Sequence, residues 1–189
     1  FALVRGLIDE ARELLLVRQA HHDSSKVLPL FSVRILSLEL RQFRNYAAQD
    51  VMFHDTAAHL FYGKNGSGKT NLLEALSVLS LTRSCRGRED IDLVQWEQSF
   101  YRVKAKVKSD AGDEHVIEVV SEVTPRRRKA LFIDDVKAEA SSYVGFLPTV
   151  TFLPQDLELF TGPPAERRRF LDQLLSQVSS EYMITLSHY

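Results

Sequence analysis

One loop fixes most of what this chain can become. Residues 63–70 read Gly-Lys-Asn-Gly-Ser-Gly-Lys-Thr, which fits the pattern G-x-x-x-x-G-K-[ST]. An apolar stretch that reads as a short buried strand ends at Tyr62, just before the loop. Leu72, Leu73, Leu76 and Leu79 then recur at helical spacing and predict a helix over 69–80. Strand, glycine loop and helix in that order call for an α/β fold assembled around the loop. The residue types state the chemistry. Gly63, Gly66 and Gly68 let the backbone take positive φ and approach an anion closely. Successive N–H groups, those of Lys64, Asn65 and Ser67 included, then point inward as an anion nest. The N-terminus of the helix adds its partial positive charge. Lys69 contributes a point charge for the β- and γ-phosphates, and Thr70 a hydroxyl for Mg²⁺. The loop therefore predicts a nucleoside triphosphate as ligand.

Phosphoryl transfer also needs a second polar group at the metal and something to orient the nucleophile. Two candidates stand in the sequence. Asp134 closes the apolar run Ala130–Asp135, which has the look of an acidic metal-binding strand. Its neighbours alternate polar and apolar, however, and Thr124–Lys129 reads as a hairpin turn, which places Asp134 in a turn as well. Gln155 closes a second apolar run, Phe146–Asp156, where a neutral amide can serve Mg²⁺ and the attacking water. It reads equally well as a turn residue following Pro154.

The rest of the chain divides by periodicity. Residues 1–20 carry apolar residues at helical spacing. Val33–Phe43 alternates as a strand, and a second strand pairs back after Arg44-Asn45-Tyr46. From Ser99 to Asp135 the period is two, which predicts an antiparallel meander of three strands. After Pro163-Pro164 helical spacing returns, with Phe170, Leu171, Leu174, Leu175 and Val178 on one face. Net charge is −1, so any nucleic-acid surface has to be local. Two basic runs qualify, Arg126–Lys129 and Arg167–Arg169. The single cysteine, Cys85, excludes an internal disulfide and fits a reducing, cytoplasmic setting. No apolar run reaches the length of a membrane span.

Several stretches together resemble RecF, a bacterial DNA replication and repair family of the SMC/ABC-type ATPases. They are Leu38–Tyr46, Gly63–Leu76, Leu79–Asp90, Phe152–Asp172 and the tail from Glu181 to Tyr189, in matching order and separation. The likeness runs from Val33 to Tyr189. It implies a P-loop NTPase lobe of ABC/SMC type with a mixed sheet, an antiparallel β subdomain and the start of a helical arm. The implied organisation is an extension over 1–32 outside the family, lobe I over 33–162 with an antiparallel insert near 99–136, and a truncated helical lobe from 163 to 189. By the same resemblance, Gly63 to Thr70 bind ATP, Asn71 extends the cradle, and Thr70 and Gln155 contact Mg²⁺. Arg44 and Asn45 sit where such proteins approach the nucleotide, and Arg83 and Arg86 where they place arginines near phosphates or DNA.

The resemblance further implies ATP-dependent homodimers on DNA, binding at junctions of single and double strands, slow hydrolysis, and cooperation with RecR and RecO. The signature motif, Walker B aspartate and catalytic glutamate of the family are not found up to Tyr189, so this chain is expected to bind ATP weakly and to turn it over negligibly. Two other readings are a stand-alone P-loop kinase with Asp134 on its metal, and a nucleotide-gated interaction module without catalysis.

Overall fold

The structure, a computed structural model, describes residues 33–56 and 58–188, without the side chains of Gln155, Glu158 and Phe160. The helical pattern of residues 1–20 and the expected extension 1–32 lie outside the described residues. The frame is one sheet of six strands. They are β1 (Val33–Phe43), β2 (Tyr46–Met52), β3 (Phe100–Ser109), β4 (Glu114–Glu122), β5 (Arg128–Ile133) and β6 (Val136–Ala138). Their spatial order is β2-β1-β3-β4-β5-β6, and every pairing is antiparallel.

The apolar positions of β1 are Val33, Ile35, Leu38 and Leu40, and the step of three between Ile35 and Leu38 breaks strict alternation. The register against β3 shifts between Ile35 and Ser37, a bulge that absorbs one residue. All four side chains therefore contribute to one core. Beyond the bulge the rows cross the sheet cleanly. Leu40 faces Val103, Val103 faces Val119, and Val119 faces Leu131. The first three are wholly buried, each contributing about 1.5–3 kcal/mol of burial. The opposite face is charged. Glu118 pairs with Arg102 at 2.7 Å and Lys104 at 3.7 Å, and Glu114 pairs with Lys106 at 2.6 Å.

Helix α1 (Lys69–Leu81) covers the apolar face with Leu72, Ala75, Val78 and Leu79. Leu73, expected on that face, is 44% exposed. The buried arc is instead rotated to take in Glu74, Ser77 and Ser80. Short helices α2 (Asp90–Leu93), α3 (Ala140–Tyr143) and α4 (Glu158–Thr161) punctuate the loops. Helices α5 (Pro164–Val178) and α6 (Ser180–Ser187) complete the chain. Of the apolar face expected on α5, Leu171 and Leu175 stand exposed. The buried residues there are Ser176 and Gln177. Gln177 fastens α5 to its neighbours. Its Oε1 accepts from Ser80 Oγ (2.9 Å) and the Thr149 amide (2.7 Å), and its Nε2 donates to the Thr149 carbonyl (3.1 Å).

Two expected strands are not formed. Residues 58–62 carry no strand, and Leu60 and Tyr62 are 85% and 89% exposed. The parallel component of the mixed sheet accordingly has no counterpart among the described residues. A parallel neighbour needs a crossover connection, and every strand-to-strand connection paired here is antiparallel. Residues 147–153 are likewise not a strand, because Pro148 and Pro154 remove donors and Gln177 takes the Thr149 backbone groups. No helix among the described residues is long and apolar enough to cross a membrane.

Candidate functional site

Residues 63–68 turn tightly into α1, with positive φ at Gly63, Gly66 and Gly68. Residues 62–67 are exposed and Gly68 is buried. Lys69 folds back over the loop. Its Nζ donates to the carbonyls of Gly63 (2.9 Å) and Lys64 (2.8 Å), while Ser67 N–H donates to the Lys64 carbonyl (3.3 Å). An ammonium has three donors, so one remains beyond these two bonds. Thr70, exposed, is the second residue of α1, and Asn71 follows it. No side chain caps the N-terminus of α1, which leaves its first amides to another acceptor. Exposed loop, uncapped helix start and ammonium together form a receptor for a polyanion.

The β1–β2 turn roofs the start of α1. A β-carbon at Gly68, where φ is 101°, would come within 2.6 Å of Tyr46 Oη and 2.8 Å of Asn45 Nδ2. Only glycine fits that approach. Asn71 Nδ2 donates to Asn45 Oδ1 at 2.8 Å, tying helix to turn, and burial raises the Tyr46 phenol pKa.

Beneath this roof lies a group that sequence reasoning missed. Glu74 is fully buried and receives a two-pronged bond from Arg44, Nε to Oε2 and Nη2 to Oε1, each 2.8 Å. Ser84 Oγ donates to Oε1 at 2.5 Å, and Arg86 Nη1 lies 3.8 Å from Oε2. Arg44 also donates to the Asp92 carbonyl at 2.6 Å. Its guanidinium thus pins the turn to α1. The available signal was a carboxylate at position i−4 from Val78, inside the buried arc, where a charge needs a cation. Arg83 accepts Ser77 Oγ at its carbonyl (3.1 Å).

Asp134 is placed where it cannot serve the cradle. It and Asp135 have φ of 49° and 62°, the two positions of the β5–β6 turn. Strands β3 and β4 separate β5 from β1. Asp134 Oδ2 lies 2.7 Å from His115 Nδ1, and Oδ1 accepts the Val116 amide at 2.8 Å. The hairpin-turn reading of Asp134 holds, and the metal-ligand alternative, on which the kinase reading rests, is set aside. Its hairpin needs an acceptor at the turn and uses both oxygens. The His115 hydrogen bond, then that from Val116, lowers its pKa. A depressed carboxyl stabilises the fold above its unfolded value and ceases to as pH falls through the folded one. Stability of the wild type is accordingly expected to fall more steeply below about pH 4 than that of Asp134→Asn. The difference, measured by urea unfolding against pH, stays under about 1 kcal/mol because the side chain is half exposed. Identical pH profiles would remove the role assigned to the pair.

Gln155 falls in a 3₁₀ turn over Pro154–Leu157, and its side chain lies outside the described residues. Among the described residues no group of three His, Cys, Asp or Glu side chains gathers to hold a metal.

Fold and loop define the class: a P-loop NTPase lobe of ABC/SMC type. Residues 34–159 match the RecF/RecN/SMC N-terminal domain, and the chain belongs to that family. It is 39% identical over 152 residues to the DNA replication and repair protein RecF of Latilactobacillus sakei, covering 80% of this chain and 40% of that one. RecF of Heliobacterium modesticaldum is 40% identical over 158 residues, 83% of this chain and 41% of the relative. The chain thus spans about two fifths of the length of these relatives. Among solved structures, the recombination mediator protein RecF with ATP, of the RecFOR pathway, superposes with a TM-score of 0.77 at 31% identity, over 84% of this chain and 43% of the other. An Smc head domain from Pyrococcus yayanosii shares the fold, with a TM-score of 0.55 at 21% identity over 75% of this chain and 32% of that one.

Proposed function

We propose that this chain is the ATP-binding lobe of a RecF-like DNA replication and repair ATPase. The observation that carries the reading is the folded loop of residues 63–68, exposed from Gly63 to Ser67, spanned by the Lys69 ammonium and leading into an uncapped helix start. The cradle comprises Gly63, Lys64, Asn65, Gly66, Ser67, Gly68, Lys69 and Thr70, with Asn71 holding the roof. The likeness to a RecF structure with ATP supports the same ligand.

Mg²⁺ fits this site as a metal carried in on phosphate oxygens. The described residues bring it a hydroxyl, Thr70, and no carboxylate cluster. Thr70 would hold it through the hydroxyl, and the metal would supply charge neutralisation to the phosphates. Gln155, at the 3₁₀ turn, is the second proposed contact. Glu74 is buried and paired and Asp134 is committed to its hairpin, so neither is placed to orient a water. The chain alone accordingly binds ATP without appreciable turnover. In the longer protein, ATP closes two protomers on DNA at junctions of single and double strands, slow hydrolysis releases them, and RecR and RecO act alongside in the cytoplasm.

The test is ATP binding by calorimetry with wild type and Lys69→Ala. Loss of one charge-assisted contact of about 1.5–3 kcal/mol is expected to weaken binding about 10- to 100-fold. Lys69 lies outside the core, so the melting temperature should hold. Equal affinity in the two proteins, or ATP turnover above the Lys69→Ala level, would overturn the reading.

A further inference from the structure

Gln155 follows a stretch that no sheet holds. Residues 147–153 belong to no strand, and the 3₁₀ turn over Pro154–Leu157 begins directly after them. That turn closes on itself. The Leu153 amide donates to Asp156 Oδ2 (2.5 Å), and the Asp156 amide donates to the Leu153 carbonyl (2.9 Å). The turn is therefore the top of an arch, and its place over the fold is set by the two feet of that arch.

Both feet rest on α5. Downstream, Arg167 in the first turn of the helix donates from Nη1 to the Gly162 carbonyl at 2.9 Å. Upstream, Gln177 in the last turn holds both backbone groups of Thr149, accepting from its amide (2.7 Å) and donating to its carbonyl (3.1 Å). One carboxamide thus replaces the neighbouring strand that this stretch lacks. Its remaining acceptor and donor positions go to Ser80 Oγ (2.9 Å) and the Gln173 carbonyl (3.2 Å), so all four are used. Thr149 Oγ1 donates in turn to Ser80 Oγ at 2.8 Å, which refers the upstream foot to α1 as well as to α5. Gln177 is 5% exposed, so bulk water is poorly placed to replace a lost partner.

Packing does not fix the arch by itself. Between Thr149 and the turn, Val150 and Phe152 are exposed and Leu153 is buried. A cavity of about 60 Å³ lies against the arch, lined by Thr151, Leu153 and Asp156 on one side and by Ser77, Phe170 and Leu174 on the other. An arch that is open beneath depends on its feet.

We infer that Gln177 is a positioning residue for the metal end of the cradle: by clamping Thr149 to α1 and α5 it sets where the turn carrying Gln155 stands. The inference rests on the reading of Gln155 as an Mg²⁺ contact and names the side chain that supports it. It requires a selective effect. Gln177 acts on the part of ATP affinity that Mg²⁺ adds and leaves the part supplied by Lys69 and the loop.

The experiment measures ATP binding to the full chain by calorimetry, once with excess Mg²⁺ and once in EDTA. The ratio of the two affinities is the metal enhancement. The variants are Gln177→Leu, Gln177→Glu, Gln155→Ala and the double variant Gln155→Ala/Gln177→Leu. Gln177→Glu keeps shape and acceptors but cannot donate to the two carbonyls. Tyr182→Phe is the control. It removes a 2.6 Å bond to Asp172 between α6 and α5 and touches neither foot. Urea unfolding identifies the variants that fold, and Gln177→Glu decides the matter if Gln177→Leu does not.

Both Gln177 variants are expected to lower the metal enhancement about tenfold, the lower end for groups that support a metal contact indirectly, while affinity in EDTA holds. The double variant should lose no more of the enhancement than Gln155→Ala alone, because both changes interrupt one route. Tyr182→Phe should keep the enhancement. If Gln155→Ala loses the enhancement and the Gln177 variants keep it, the inference is overturned while the metal reading stands. If the losses in the double variant add, or Tyr182→Phe falls as far, Gln177 serves the fold at large and the inference is again overturned. If wild type shows no enhancement, or Gln155→Ala retains it in full, the metal role of Gln155 falls and the inference falls with it.

Discussion

Glu74→Ala is expected to destabilise the fold by about 3–5 kcal/mol, the usual result of stripping one partner from a buried ion pair. For a chain of this size that lowers the melting temperature by roughly 6–20 °C. The size of the effect follows from what is left behind. Arg44 has only 18% of its side chain exposed and loses two 2.8 Å bonds at once. Ser84 and Arg86 lose the same acceptor. The loss is not confined to stability, because Arg44 holds the β1–β2 turn whose Asn45 and Tyr46 roof Gly68. ATP binding should therefore weaken as well, although Glu74 is buried beneath the loop and is not proposed to touch nucleotide. Replacing both partners, as Glu74→Met with Arg44→Met, should cost less than the sum of the single changes, since neither charge is then stranded. Urea unfolding of the four proteins gives the coupling. A loss below about 1 kcal/mol for Glu74→Ala, or strict additivity in the cycle, would mean that the cluster does not hold the roof.

The second large effect is expected at Gly68→Ala. The new methyl would meet Tyr46 Oη at 2.6 Å and Asn45 Nδ2 at 2.8 Å, both inside ordinary contact, on a residue with φ of 101°. Backbone strain alone is about 1–3 kcal/mol, and relief requires lifting the roof from the helix start. ATP affinity should fall at least tenfold, about 1.4 kcal/mol, together with a loss of stability. Gly66→Ala is the internal control. Gly66 also has positive φ (82°), but nothing lies within 4 Å of its added methyl, so only the strain applies. If the two substitutions behave alike, the roof plays no part. If Gly68→Ala binds ATP as wild type does, the cradle geometry is wrong.

What the sequence made legible was whatever depended on local periodicity. The strand predicted over 33–43 forms over Val33–Phe43, and the helix predicted over 69–80 runs Lys69–Leu81. The three strands of the meander from Ser99 onward form as β3, β4 and β5, because alternation and turn residues are near-neighbour signals; the short β6 was not expected. The glycine spacing of the loop was equally plain. Contacts between segments distant in the chain were not visible. Arg44 finds Glu74 thirty residues on, and Gln177 finds Ser80 ninety-seven residues back. No pattern within either segment announces its partner. Residues 58–62 and 147–153 misled for the same reason. A strand exists only if a neighbour takes its backbone hydrogen bonds, and composition says nothing about that neighbour.

The carboxamide of Gln177 has a mechanical meaning as well. It rivets α5 to the last full turn of α1 at a point where both surfaces are buried, and α1 begins at the phosphate loop. A helix is stiff over such a length, so α1 works as a crank with the cradle at one end and the arm bolted to the other. A rotation of α5 therefore has a direct structural route to the cradle.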